Sequence, residues 1–255
     1  MTVSREGDVG FLTLNRPPAN SYEVTFMQGL NAAIDQIRAD DAIKVVVMRS
    51  ALEKFFSAGA DIKAFHENSP KGNAAMVRYG HETLDKIGRT PKIFIAAING
   101  HALGGGLEIA LACDLRFAGD GNFFLGLPEV TLGLLPGNGG TQRLPRLIGK
   151  AKALDMMITG ARVGPQQALQ LGIVDRVFPQ AELMAKTLEY AQGLAQGATF
   201  AIGLIKMAIQ EGFESPLSIG LAIEREGINQ LFKSEDAREG FSAFVEKRKA
   251  VFKGK

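Results

Sequence analysis

Two kinds of hydrophobic pattern alternate along the first half of the chain. Residues 43–48 (IKVVVM) and 93–98 (IFIAAI) are nearly solid apolar runs rich in β-branched side chains, the pattern of strands buried on both faces. Residues 26–39 instead place Phe26, Leu30, Ala33, Ile34 and Ile37 at helical spacing, and residues 74–87 repeat that period. Residues 3–14 read as a hairpin, two β-prone runs around a Gly-Asp turn. Two prolines make 15–20 a loop, and 52–61 is a loop containing glycine. Further strands are predicted at 115–118 and 174–178, with another apolar strand running up to Pro128.

From about residue 149 the pattern becomes helical almost throughout. Helices are predicted over 150–159, 165–171, 181–196, 200–211, 216–232 and 235–252. Strands alternating with helices, followed by helices alone, predict an α/β core with a helical C-terminal extension. The apolar positions Leu217, Leu221, Ile228, Leu231 and Phe232 must pack on that core or on neighbouring subunits.

Composition narrows the function classes. The chain has 255 residues, 46% of them hydrophobic and 22% charged, with a net charge of +2. No basic field points to nucleic acid, and no 18-residue apolar run points to a membrane span. The beginning MTVSREGDVG has no apolar signal core, and the single cysteine, Cys113, suits a reducing compartment. A cytoplasmic location is expected, or an organelle matrix if a targeting segment has been removed.

The chemistry concentrates in three stretches. In HALGGGLEIALACD, residues 101–114, the strand 93–98 feeds a glycine turn and then a helix from about residue 106. That geometry leaves backbone N–H groups free at the helix N-terminus, and residues without Cβ let a ligand approach them. Neither a phosphate-binding loop nor a dinucleotide fingerprint fits the glycine spacing. Taken alone, the glycines equally suit a tight turn. Glu108, however, sits in the first turn of a helix that is otherwise apolar all round, where a charge needs a partner or a task. A second carboxylate, Glu129, follows the apolar stretch FFLGLP. Two desolvated acids are the ingredients of general acid–base chemistry. The third stretch, FFSAGADI at 55–62, again exposes backbone N–H groups, so two turns could together form an oxyanion hole.

FFSAGADI, the NGHALGGGLEIALACD block and LPEVTLGLLPGNGGTQRLPRLIG occur in the order found in the crotonase, or enoyl-CoA hydratase/isomerase, family. The chain resembles that family over nearly its whole length. The resemblance implies an α/β fold: a crotonase-like spiral of repeated ββα units over residues 1–195, with a helical C-terminal trimerisation region at 196–255. It implies an acyl-CoA thioester substrate, so that coenzyme A is part of the substrate and no separate cofactor or metal is expected. It implies Ala60 and Gly105 as oxyanion N–H donors, and Glu108 and Glu129 as catalytic carboxylates. Ala58, Gly59, Ala60, Asp61, Ile62 and Lys63, with Gly104 and Gly105, would line the substrate path. A homotrimer or homohexamer is implied, with no nucleic-acid or membrane partner.

Both acids together favour hydration of a 2-enoyl-CoA. The alternatives are 3,2-enoyl-CoA isomerisation, which the family runs with the acid matching Glu129 alone, and an RNA-binding role known for some members. The spacer before Glu129 is one residue longer than in the common hydratase pattern, and a β-bulge near residues 122–126 is expected to absorb it. Asp61 is expected to cap a short helix, His101 to pack locally, His66 and His81 to lie on the surface, and Cys113 to fill core. The glycines of Gly137-Asn-Gly-Gly-Thr141 either start a further helix near the site or serve a turn.

Overall fold

The computed structural model describes residues 1–255. The chain winds through successive turns of similar construction. β1 (Thr2–Glu6) and β2 (Val9–Leu14) form the expected hairpin, after which Tyr22 makes a one-residue parallel bridge with Ala60 and α1 (Val24–Ala39) follows. The next turn is β3 (Val45–Ser50), β4 (Phe55–Ser57), α2 (Ile62–Glu67) and α3 (Pro70–Gly88). The third is β5 (Ile93–Ile98), β6 (His101–Leu103) and α4 (Gly105–Ala112). The fourth is β7 (Leu115–Gly119), β8 (Leu125–Gly126), a 3-10 helix at Glu129–Leu132 and α5 (Gly140–Ile148). Then come α6 (Lys150–Thr159), β9 (Arg162–Val163), α7 (Pro165–Leu171), β10 (Arg176–Phe178) and α8 (Leu183–Ala195). Three helices finish the chain: α9 (Thr199–Phe213), α10 (Leu217–Leu231) and α11 (Glu235–Glu246).

In the second, third and fourth turns the first strand joins one sheet and the second joins another. The six-stranded sheet has the order β1-β2-β3-β5-β7-β10, parallel except for the β1–β2 hairpin. The four-stranded sheet has the order β4-β6-β8-β9, with β4, β6 and β8 parallel. This is the repeated ββα spiral that the resemblance implied. The solid apolar runs make sense in it. On β3, Val46 and Met48 enter the main core with α1, α3 and α4, while Val45 and Val47 enter a second core beneath Leu183 and Ala191 of α8. A strand covered on both faces has no polar positions to alternate with.

Three expectations are corrected. Residues 52–61 are not all loop, because β4 lies within them, and β6 also went unpredicted. Strands of two or three residues carry no readable period. The bulge expected before Glu129 is absent: β8 pairs with β6 in regular register, Ala102 with Leu125 and Leu103 with Gly126. The preceding residues 120–124 instead form a loop, turned by the Phe123 N–H donating to Gly121 O at 3.0 Å. Finally, the last helix stops at Glu246 rather than 252. Lys247 takes a left-handed conformation (φ 53°) and the chain folds back, with Lys253 N and Gly254 N donating to the Asp236 carboxylate at 2.7 and 2.9 Å.

In one chain, α9 to α11 keep large apolar side chains exposed, among them Phe213, Leu217, Phe232 and Phe244. No helix is long and apolar enough to cross a membrane. α9 is tied to the core by Lys206, whose buried ammonium donates to Ile87 O, Lys92 O and the Asp114 carboxylate at 2.7 to 2.8 Å.

Candidate active site

The second sheet brings two of the three sequence stretches into backbone contact. A Cβ on Gly106 would lie 2.1 Å from Ser57 O, and one on Gly59 would lie 2.7 Å from Leu103 O and 3.0 Å from Gly105 N. Only residues without side chains let these turns close to that distance. The Gly105 N–H opens α4 and has no earlier helical turn to donate to. The Ala60 N–H also donates to nothing in the chain, although its neighbours are fixed: Tyr22 N–H donates to Gly59 O and Asp61 N–H to Tyr22 O, both at 2.8 Å. Two unpaired donors therefore come from turns packed against each other, one of them at a positive helix end.

Glu108 lies one turn into α4, a helix buried along its whole length, and is itself 1% exposed. Its Oε1 accepts the N–H groups of Asn138 and Gly140, each at 2.7 Å. Burial pushes the Glu108 carboxyl above the usual range, and these two amides pull it back toward the ionised form. The amides come from the PGNGG turn that leads into α5, and Arg143 in α5 steadies that turn by donating to Asn138 O at 2.9 Å.

Glu129 opens the 3-10 helix after Pro128. A Cβ on Gly104 would be 3.0 Å from Glu129 Oε1, so this carboxyl abuts the glycine turn just ahead of Glu108. Its Oε2 is buried with no hydrogen-bond partner. Burial first, and then the charge of Glu108, push this carboxyl up to about 7. The two acids thus share one site and differ in character: one is held by donors from a neighbouring turn, the other is desolvated with one oxygen unpaired.

Residues 4–255 match the family described as enoyl-CoA hydratase/isomerase. The chain belongs to that family. Its members are enzymes, and it resembles several over their full length. It is 40% identical to the 2,3-dehydroadipyl-CoA hydratase of Escherichia coli, covering 100% of this chain and 99% of that protein. It is 37% identical to the short-chain-enoyl-CoA hydratase of Clostridium acetobutylicum, covering 97% and 95%. Among solved structures, an enoyl-CoA hydratase from Geobacillus kaustophilus superposes with a TM-score of 0.98 at 52% identity, covering 99% of this chain and 96% of that one.

The other predicted positions of this enoyl-CoA hydratase/isomerase family member sort by location. Ala58, Gly59 and Ala60 lie at the convergence of the two turns, and Asp61, Ile62 and Lys63 lead out along α2, where Ile62 and Lys63 are exposed. Asp61 caps α2, accepting from Ala64 N, and pairs with Arg16 at 3.1 Å, which holds its carboxyl below the usual range. His101 packs among Phe55, Phe123 and Phe124, and its Nδ1 accepts the Phe124 N–H at 3.1 Å. Cys113 is buried, its thiol pushed up to about 12 by burial, as befits a core residue. His66 is exposed. His81 is exposed but not idle, because its ring hydrogen-bonds Gly137 O in the turn that holds Glu108. Asn138 and Tyr22 are site residues that sequence reasoning missed. The PGNGG glycines gave a signal for the first; nothing in the motif pattern marked the second.

Proposed function

We propose that this chain hydrates 2-enoyl-CoA thioesters, adding water syn across the 2,3 double bond to give 3-hydroxyacyl-CoA. The observation that carries the reading is the pair of sunken carboxylates, Glu108 and Glu129, beside the unpaired amides of Ala60 and Gly105. The thioester oxygen accepts from both amides, which draws electron density from C3. Glu108 takes a proton from water as the water oxygen bonds to C3. The π electrons move toward C2 and the carbonyl oxygen, and C2 takes its proton from Glu129. A carboxyl at about 7 holds a substantial protonated fraction near neutrality, which suits Glu129 to that step. Glu108, fixed by two N–H donors, suits the base. Proton exchange between the acids through solvent restores the start.

The coenzyme A portion follows Ala58 to Lys63 along the mouth of the site. The exposed apolar faces of α9 to α11 support a homotrimer, or a hexamer built of trimers. The hydratase names of the two bacterial relatives support hydration over isomerisation. A shuttle moving the double bond of a 3-enoyl-CoA needs only the acid at Glu129 and leaves the two amides on Glu108 without a purpose. The test is the loss of enoyl-thioester absorbance with crotonyl-CoA and longer 2-enoyl-CoAs, run beside a 3-enoyl-CoA. Turnover of the 2-enoyl substrates is expected. Isomerisation of the 3-enoyl-CoA without hydration of any 2-enoyl-CoA would overturn the reading.

A further inference from the structure

Tyr22 is a phenol at the centre of the site that the hydration scheme does not use. It is 5% exposed. Its main chain pairs with the segment that carries Ala60, through Tyr22 N–H to Gly59 O and Asp61 N–H to Tyr22 O. Its ring lies over Gly105, where a Cβ would come within 2.3 Å of both Cε1 and Oη. One residue therefore touches both turns whose amides are free.

The hydroxyl is held but its proton is not used. Asn138 Nδ2 donates to the phenol oxygen, and the phenol donates to nothing in the chain. Burial first, and then the charges of Glu108 and Glu129, raise its pKa, so it stays a donor throughout the working range. Both carboxylates act on it through charge without a hydrogen bond. Asn138 does two things at once: its backbone N–H fixes Glu108, and its side chain fixes the phenol. A rigid, buried O–H with no acceptor, beside an amide with no acceptor, is preorganised for an oxygen that arrives with the substrate.

We propose that Tyr22 is a catalytic residue whose hydroxyl donates a third hydrogen bond to the thioester oxygen held by the Ala60 and Gly105 amides. This rests on the reading of those amides as the thioester site. Glycine at 105 is then required for two reasons, amide access and room for the phenol.

The test is Tyr22→Phe, which keeps the ring beside Phe26 and removes only the hydroxyl. Two measurements are made on parent and variant: crotonyl-CoA kinetics, and the absorption spectrum of bound cinnamoyl-CoA. The conjugated thioester of cinnamoyl-CoA absorbs further to the red as its carbonyl is polarised, and it reports only on folded, binding-competent protein. The expected result is a kcat lowered roughly 10- to 100-fold, KM changed by less than about threefold, and a smaller red shift in the variant. A variant with parental kcat, or with an undiminished red shift, overturns the proposal. A parent that shifts cinnamoyl-CoA but does not hydrate crotonyl-CoA sinks the hydration reading instead, and leaves Tyr22 to be judged on the shift alone.

Discussion

Gly140 donates its backbone N–H to Glu108 Oε1 at 2.7 Å, and the space beside that bond has no room for a methyl group. A Cβ there would lie 3.0 Å from the same oxygen, 2.8 Å from Pro136 Cβ and 2.9 Å from Leu127 Cδ1. The turn into α5 therefore sets where the Glu108 carboxylate sits. Gly140→Ala is expected to lower kcat for crotonyl-CoA by roughly 10-fold or more, because small displacements of a reacting group are costly. Overpacking should also cost about 1–3 kcal/mol in urea unfolding. Parental kcat in a folded variant would show that Glu108 is not positioned this way.

The raised carboxyl of Glu129 sets a pH dependence. In the proposed hydration protonated Glu129 gives the proton to C2, so kcat/KM should fall as pH rises through about 7. Stability follows the same sign. The folded chain keeps a proton that the unfolded chain releases between about 4.5 and 7, so this group favours folding less as pH climbs through that window. Glu129→Gln should lose the alkaline limb of the rate profile and flatten the Tm-against-pH curve between those values. A variant that keeps the parental limb would assign the titration elsewhere.

Backbone contact between the two turns predicts a separate effect at Gly106. A methyl there would drive into Ser57 O at 2.1 Å, a backbone atom that cannot turn aside. Gly106→Ala should separate the Ala60 and Gly105 amides and cost roughly 10²-fold in kcat, comparable with loss of one oxyanion donor. Kinetics of the folded variant checks it, and an unchanged kcat would mean that the contact does not hold the amides.

Lys206 and Asp114 form a buried pair whose partners are otherwise internal: two carbonyls for the lysine, the Phe94 N–H for the aspartate. Removing one charge strands the other. Lys206→Met is expected to destabilise the chain by about 3–5 kcal/mol, and the further change Asp114→Asn should recover part of that loss. Thermal or urea unfolding of the single and double variants measures it. Equal stability of the two would show that Asp114 is not stranded.

Much of this arrangement was legible in the sequence, and the rest was not, for physical reasons. β3 and β5 were readable because burial on two faces leaves an unbroken apolar run. Glu108 stood out because a lone charge on an apolar helix is conspicuous. β4, β6 and β9 were invisible at two or three residues each, and β8 showed only as the apolar stretch ahead of Pro128, although that sheet is what draws Ala60 toward Gly105. The end of α11 was overrun because Lys247 adopts a conformation that glycine usually supplies. α3 begins earlier than its apolar period, at Ser69-Pro70, a cap signal that was there to be read. Tyr22 and Asn138 meet across more than a hundred residues, and no local spacing encodes such a contact.

The most direct measurement is crotonyl-CoA hydration by Glu108→Gln and Glu129→Gln, each compared with the parent and each checked for substrate binding. Both variants should bind crotonyl-CoA and lose roughly 10²- to 10⁴-fold in kcat. Full hydration by Glu108→Gln would remove it as the base and contradict a mechanism that depends on two acids.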